Sequence, residues 1–291
     1  VNLYLHRKAN HNKVHVGGAL WNEVPPGILE EQFKSADVIH FHNYAWDLKI
    51  FETYPNLLEV AKSKPCLIQY HSPRRSIENF EHSIEDKSLK HAVIAQYHVR
   101  EYPECEFVVP NVIPIDLPLY QGAGNKWLES VTCVSYTPSS TNGVGWDDKG
   151  WAFTEPVLTK LDDEGYIIKD VCTNVPYEAC MKRKRWAHIG IDEIMTGSYH
   201  LSTLEYFSLG CACIVRIDEK TLNAIFQISP EGAAAWPGIQ ASPDTLEAQI
   251  KLWVSNRDAL KARAEKSREW MEKYWSPANH ALHFEGVYKC L

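Results

Sequence analysis

The sequence predicts two α/β domains, each a parallel sheet covered by helices on both faces. A chain of 291 residues is too long for one typical core and comfortable for two. Short apolar runs of the buried-strand kind alternate with helix-patterned segments through short connections. Between two such rhythms lie residues 122–125, Gly-Ala-Gly-Asn, the best candidate for a linker.

Composition narrows the function classes. A hydrophobic fraction of 45% with 23% charged residues is that of a soluble globular protein. A net charge of −7 and a pI near 6.0 give no general attraction to nucleic acid or to an anionic membrane, which points to a small or neutral partner. Eight cysteines stand at 66, 105, 133, 172, 180, 211, 213 and 290 without a CxxC pair, which argues against a zinc site and against a disulfide framework. Several fall in apolar runs as small hydrophobes, and a reducing cytoplasm is the expected location. No apolar stretch approaches the roughly 18 residues that span a bilayer, so no transmembrane segment is expected; peripheral membrane contact and the oligomeric state stay open.

Residues 1–6 read as a short strand, and the polar tract 7–13 lies where an α/β ligand loop would lie. Gly17-Gly18 and Pro25-Pro26-Gly27 break the chain before a short helix at 28–35 and a strand at 37–42, Asp-Val-Ile-His-Phe-His. A helix at 55–63 and the turn Lys64-Pro65 lead into residues 66–70, Cys-Leu-Ile-Gln-Tyr, a continuous apolar run of the buried parallel type. His71, Ser72, Pro73, Arg74 and Arg75 follow at its carboxyl end, where open α/β sheets bind ligands. A histidine there reads either as structural or as catalytic, and the two guanidinium forks suit phosphate or carboxylate recognition. Strands at 91–96 and 107–109, then Pro110-Asn-Val-Ile-Pro114, close this half.

A strand at 131–135 opens the second half and runs into residues 137–143, Thr-Pro-Ser-Ser-Thr-Asn-Gly, then Asp147-Asp148-Lys149-Gly150. Such a loop either holds phosphates through backbone N–H groups and a lysine or is simply solvated, and no GxxxxGK[ST] is present. A helix is expected at 156–161 with Pro156 in its first turn, then a strand at 166–172, a helix at 177–186 and a strand at 188–194. The basic run Met181-Lys-Arg-Lys-Arg-Trp186 reads as the solvated face of a short helix. Next come Gly197-Ser-Tyr-His-Leu-Ser-Thr-Leu-Glu-Tyr-Phe-Ser-Leu-Gly210 and the apolar run 211–215. Ser202 with Glu205 three residues later matches a capping box, and Gly210 matches a helix stop. The same helix opening offers free N–H groups and the positive end of its dipole to an anion. A long helix at 258–274 buries Leu260, Ala264 and Trp270, Pro277 ends it, and a last helical segment covers 278–290.

Taken in order, Asp37-Val-Ile-His-Phe-His42, the strand ending in Tyr70-His71-Ser72-Pro73, Val109-Pro-Asn-Val112, the Lys149-Gly150 loop and Leu204-Glu205 before Gly210 resemble retaining glycosyltransferases of the GT-B fold, group 1 type, which use nucleotide-sugars. The resemblance implies two Rossmann-like domains facing across a cleft: residues 1–124 on the acceptor side, 125–276 binding the donor, and a helix at 277–291 packing back on the first domain. It implies His71 and Lys149 as catalytic residues, His71 near the transferred sugar and Lys149 at the donor diphosphate. Ser139 or Ser140 would help Lys149, the N–H groups of Ser202 and Thr203 would face the diphosphate, and Glu205 would bind the ribose. The donor-binding set then also takes in Glu193, Gly197, His200 and Leu201, while Arg74 and Arg75 are candidates for a phosphate or the acceptor. No cofactor or metal is implied, because basic side chains and the helix dipole offset the charge of the leaving diphosphate.

Two departures stand out. Gly197 occupies the position where the family carries a second glutamate, for which Glu193 or Asp192 could substitute, and a Ser/Thr loop stands where an arginine precedes the lysine. The expected activity is transfer of a sugar from a nucleoside diphosphate-sugar donor to a carbohydrate or other hydroxyl acceptor with retention of configuration. The alternatives are an isomerase resembling nucleotide-sugar 2-epimerases and a non-catalytic nucleotide-sugar binding subunit.

Overall fold

The computed structural model describes residues 5–6, 19–78, 80–139, 141 and 149–291. The polar tract 7–13, Gly17-Gly18, Ser140 and residues 142–148 of the second-half loop, all named above, lie outside the described residues. The chain divides into one unit of Val1–Val109 with Leu282–Leu291 and a second of Pro110–Ala281. The boundary falls some ten residues ahead of the glycine-rich linker expected from sequence, because residues 110–125 keep company with the second unit.

The first unit has a short parallel pair, β1 (Leu5–His6) with β2 (Ala19–Leu20). It continues through α1 (Pro26–Ser35), β3 (Ile39–His42), α2 (Lys49–Thr53), α3 (Pro55–Lys62), β4 (Cys66–Tyr70), α4 (Phe80–Ile84), β5 (Leu89–Ile94) and β6 (Phe107–Val109). Strands β3, β4, β5 and β6 form a parallel sheet in that order. Strand periodicity splits the sheet between two cores. Cys66, Ile68 and Tyr70 of β4 and Leu89 and Val93 of β5 join Leu29, Phe33, Phe51 and Leu57 from the helices. Their alternates Leu67, Ala92 and Ile94 pack with Val109 against Phe284, Val287, Tyr288 and Leu291. Those last residues come from α12 (Pro277–Tyr288) and the chain end, so the C-terminal segment supplies one cover of the first sheet. Pro277 starts this helix rather than ending the one before it, as suits a residue whose missing N–H has no intrahelical use there.

In the second unit β7 (Thr132–Tyr136), α5 (Trp151–Asp163), β8 (Ile167–Val171), α6 (Tyr177–Lys184), β9 (Ile189–Ile191), α7 (Leu201–Ser208) and β10 (Ala212–Ile214) alternate. The parallel sheet runs β10-β9-β7-β8. Helix α5 begins five residues before Pro156, so the proline lies inside it and leaves the Ala152 carbonyl without its usual donor. Between Val215 and Asp258 the sequence reading places no helix, yet α8 (Glu219–Ile228), α9 (Pro230–Ala234) and α10 (Leu246–Ser255) stand there. Two carry legible start signals: Asp218 accepts from Thr221 N at 3.0 Å, and Ser229 accepts from Gly232 N at 3.0 Å. Helix α11 (Arg257–Tyr274) buries Leu260, Ala264 and Trp270 as the pattern requires.

Gly190 sets how closely α7 approaches the sheet. A Cβ there would sit 2.2 Å from Cγ of Tyr206, whose ring lies flush on β9 and whose hydroxyl reaches Ser135 O at 3.1 Å. Gly190→Ala should therefore cost about 1–3 kcal/mol through overpacking, read as a lower urea midpoint at unchanged m. An unchanged midpoint would show that α7 is not held at this distance by the glycine.

Candidate functional site

Strands β7 and β9 deliver their carboxyl ends, followed by Thr137 and by Asp192 and Glu193, to the start of α7. Lys149, just ahead of α5, comes to the same place. Lys149 and Gly150 both have left-handed backbones, φ 51° and 82°, and a Cβ on Gly150 would meet Ile194 Cγ1 at 2.8 Å. Only glycine combines that φ with that contact.

Helix α7 starts at Leu201 with His200 in the capping position, and the His200 side chain caps nothing. The capping box expected at Ser202 and Glu205 is not formed: Ser202 lies inside the first turn and its hydroxyl bonds Thr137 Oγ1 at 2.8 Å and Lys184 Nζ at 2.7 Å. The helix start is capped by Asp192. Its Oδ2 accepts from His200 N at 2.7 Å and from Thr203 Oγ1 at 2.6 Å, and its Oδ1 lies 2.7 Å from Lys149 Nζ. Asp192 is fully buried and Lys149 is 3% exposed. Burial raises the Asp192 carboxyl, but the Lys149 ammonium and then His200 outweigh it and hold the group well below the usual carboxylate range.

A second buried ion pair lies one turn along. Lys184 Nζ is 2.5 Å from Glu205 Oε2, and Tyr177 donates its hydroxyl proton to Glu205 Oε1 at 2.9 Å. The Lys184 ammonium also lies 4.6 Å from the Tyr206 ring centre, and the Tyr177 hydroxyl oxygen is 2.8 Å from that of Tyr120. Burial opposes both charges, yet each stabilises the other, so Glu205 is shifted down and Lys184 up. This corrects the reading of residues 181–186 as a solvated face: Arg183 does turn outward to Asp170, but Lys184 is 2% exposed and carries the counter-charge of Glu205. Spacing could have shown it, since Tyr177, Met181 and Lys184 fall on one face of a helix whose positions 178, 182 and 183 are polar and exposed.

Glu193 is equally buried but unpaired. Its Oε1 accepts from the backbone N–H groups of Met195 and Thr196, the latter at 2.9 Å, while Oε2 is buried without a partner. Burial pushes its carboxyl up to about 7 against the pull of those N–H groups, so near neutrality it holds a proton on Oε2 in much of the population. Gly197 has φ 77° and a Cβ there would stand 2.7 Å from Asp218 Oδ2, so a side chain at this position is strained and must displace the Asp218 carboxylate. Ser139 is exposed.

The other sequence candidates belong to the first unit. His71 is exposed after β4; its N–H donates to Asn43 Oδ1 at 2.9 Å, and Asn43 Nδ2 donates to Ser72 Oγ at 2.9 Å. Asn43, at φ 61°, thus ties the ends of β3 and β4. The His71 ring is 5.5 Å from that of His42, which stacks on His40 at 4.7 Å. Burial, then His42, lowers His40 to about 3. Arg74 is engaged by carboxylates: Glu81 at 3.0 Å and Glu104 at 2.9 Å, with its guanidinium 4.2 Å from the Phe80 ring centre. Arg75 is exposed.

No protein-family model and no curated protein matches the sequence. Among solved structures, a sucrose-phosphate synthase of Thermosynechococcus elongatus is similar over 90% of this chain and 75% of its own, at 12% identity and a TM-score of 0.52. TarM of S. aureus is similar over 77% of this chain and 54% of its own, at 9% identity and a TM-score of 0.50. At such identities the likeness establishes the fold, which is GT-B.

Two outcomes follow from the buried charges. Lys184→Met leaves Glu205 buried and uncompensated, and should lower unfolding stability by about 3–5 kcal/mol, with much of it returned by adding Glu205→Leu. Chemical denaturation of the two variants checks this, and a double variant no better than the single one contradicts it. For Glu193, whose ordinary value is 4.5, the folded state keeps a proton between pH 4.5 and about 7 that the unfolded state has released. Stability therefore falls as pH rises through that window, by about 3 kcal/mol from this group, and Glu193→Gln should flatten that part of the profile.

Proposed function

We propose that the protein is a glycosyltransferase that moves a sugar from a nucleoside diphosphate-sugar to an acceptor hydroxyl with retention and without a metal. The observation that supports it most is the meeting of Lys149 with the opening of α7 at the carboxyl end of β9, in a chain of GT-B fold. A diphosphate needs positive charge and N–H donors, and both are present there.

Lys149 is held by Asp192, and its ammonium, with three donors, is the group that would meet phosphate oxygens. Asp192 aims the ammonium while the first-turn N–H groups of α7 would face the second phosphate. As the bond to the sugar breaks, negative charge grows on the leaving diphosphate, and these fixed groups stabilise it without having to reorganise. The leaving phosphate can take the acceptor proton, so no nucleophilic side chain is required. Glu205 is the candidate for the ribose, with Lys184 holding its carboxylate ionised and in place. Gly197 leaves no side chain where the sugar would be read, and Glu193 is the buried carboxyl nearest in sequence to that task. His71 is the first unit's candidate at the transferred sugar.

Lys149→Ala should lower turnover at least about 100-fold. Glu205→Gln should raise the donor dissociation constant about tenfold, at a loss of roughly 1.4 kcal/mol. Both are measured against a panel of UDP-, GDP- and ADP-sugars, by release of nucleoside diphosphate with acceptor present and by calorimetry. Epimerised donor in place of released diphosphate would replace the transferase reading with an isomerase. Normal turnover in Lys149→Ala would remove the site assignment.

A further inference from the structure

The parallel ladder of β3 and β4 ends where Asn43 N donates to Gln69 O at 2.9 Å. Asn43 has a left-handed backbone, φ 61°, and is 7% exposed. Its side chain reaches the exit of β4: Oδ1 accepts from His71 N at 2.9 Å, and Nδ2 donates to Ser72 Oγ at 2.9 Å. One bond further along, Ser72 O accepts from the Tyr102 hydroxyl at 2.6 Å. Tyr102 is buried, with its ring stacked 4.8 Å from that of Tyr70, the last residue of β4. The backbone of His71-Ser72 is thus held by side chains from two other segments, while the His71 side chain stands exposed.

We propose that Asn43 is the positioning residue for His71, its amide fixing the backbone from which the His71 ring is presented to the transferred sugar. The inference rests on the proposed function, which gives His71 that place.

Packing gives an exposed side chain little direction, so the backbone decides where the ring starts. A displacement of about 1 Å at a reacting centre can cost roughly 100-fold in rate. The residue type at 43 suits the task. Glycine would adopt the left-handed turn at less steric cost but would offer no side-chain hydrogen bond. Asparagine tolerates the turn and supplies an acceptor and a donor together. The backbone N–H of His71 can only donate, which sets Oδ1 on that side and Nδ2 on Ser72. An aspartate could hold both groups as well, because the Ser72 hydroxyl can turn its proton to a carboxylate oxygen. Two variants therefore leave the turn in place: Asn43→Gly removes both hydrogen bonds, and Asn43→Asp keeps them.

The full chain is assayed for release of nucleoside diphosphate from UDP-glucose, GDP-mannose and ADP-glucose, and folding of each variant is checked by its urea midpoint. Asn43→Gly should lower kcat about 10- to 100-fold with the donor KM within about twofold, and Asn43→Asp should recover most of that loss. Asn43→Gly added to His71→Ala should lower the rate no further than His71→Ala alone, since the two act as one unit. Amide hydrogen exchange at His71 and Ser72 should quicken about tenfold in Asn43→Gly and return in Asn43→Asp. Unchanged exchange, or losses that multiply in the double variant, overturn the positioning role while leaving the transferase reading intact. Unaltered turnover in Asn43→Gly beside a slow His71→Ala does the same. A silent His71→Ala, or no release from any of the three donors by the unaltered chain, overturns the place given to His71 and the role of Asn43 with it.

Discussion

Helix α7 is buried from Ser202 to Ser208, and a buried helix must find partners for the N–H groups at its start and the carbonyls at its end. Water cannot supply them, so charged side chains do. Asp192 sits at the N-terminal end, and Lys126 and Arg268 sit at the other, with Lys126 Nζ 2.8 Å from Gly210 O and Arg268 Nη1 2.6 Å from Ser208 O. The anion meets the positive end of the helix dipole and the cations meet the negative end. The arrangement stabilises the helix and leaves the second ion pair, Lys184 with Glu205, part-way along its length.

The same constraint makes this region a place where function can reside. Each charge is tied: Lys149 by Asp192, Glu205 by Lys184 and Tyr177. Pairs of this kind add little to stability compared with apolar residues of the same size, because desolvation cancels most of the attraction. What they provide is fixed charge at a defined point that solvent cannot rearrange, which the proposed transfer would use. Glu193 stands apart as a buried carboxyl whose Oε2 has no hydrogen-bond partner among the described residues, next to Ile194 and Met195, against which a Cβ at Gly150 would press.

Much of the framework was legible in the chain. The runs 66–70 and 107–109 are strands with the expected bounds, since a continuous apolar run bounded by turn residues has few other uses. Helices α8 and α9 went unplaced although Asp218 and Ser229-Pro230 carry their start signals, whose capping hydrogen bonds are local. Lys184 was harder: a lysine among basic neighbours has the composition of a surface, and only its register with Tyr177 and Met181 marks it as inward. Arg74 failed in the opposite sense, since Glu81, Glu101 and Glu104 that engage it come from other segments.

By itself, the sequence determined the α/β alternation, two sheets of parallel strands and the stretch from Gly197 to Val215 as a loop, helix and strand, because these follow from local periodicity and turn chemistry. The tertiary structure alone decided which anion sits at the start of α7 and which cation faces Glu205. Asp192, Lys149, Lys184, Lys126 and Arg268 lie on five separate stretches of chain, and their pairing is set by the burial that brings those stretches together. A capping box and a free phosphate site look alike in one dimension. Three dimensions put a carboxylate of the chain in the cap and gave Glu205 a lysine.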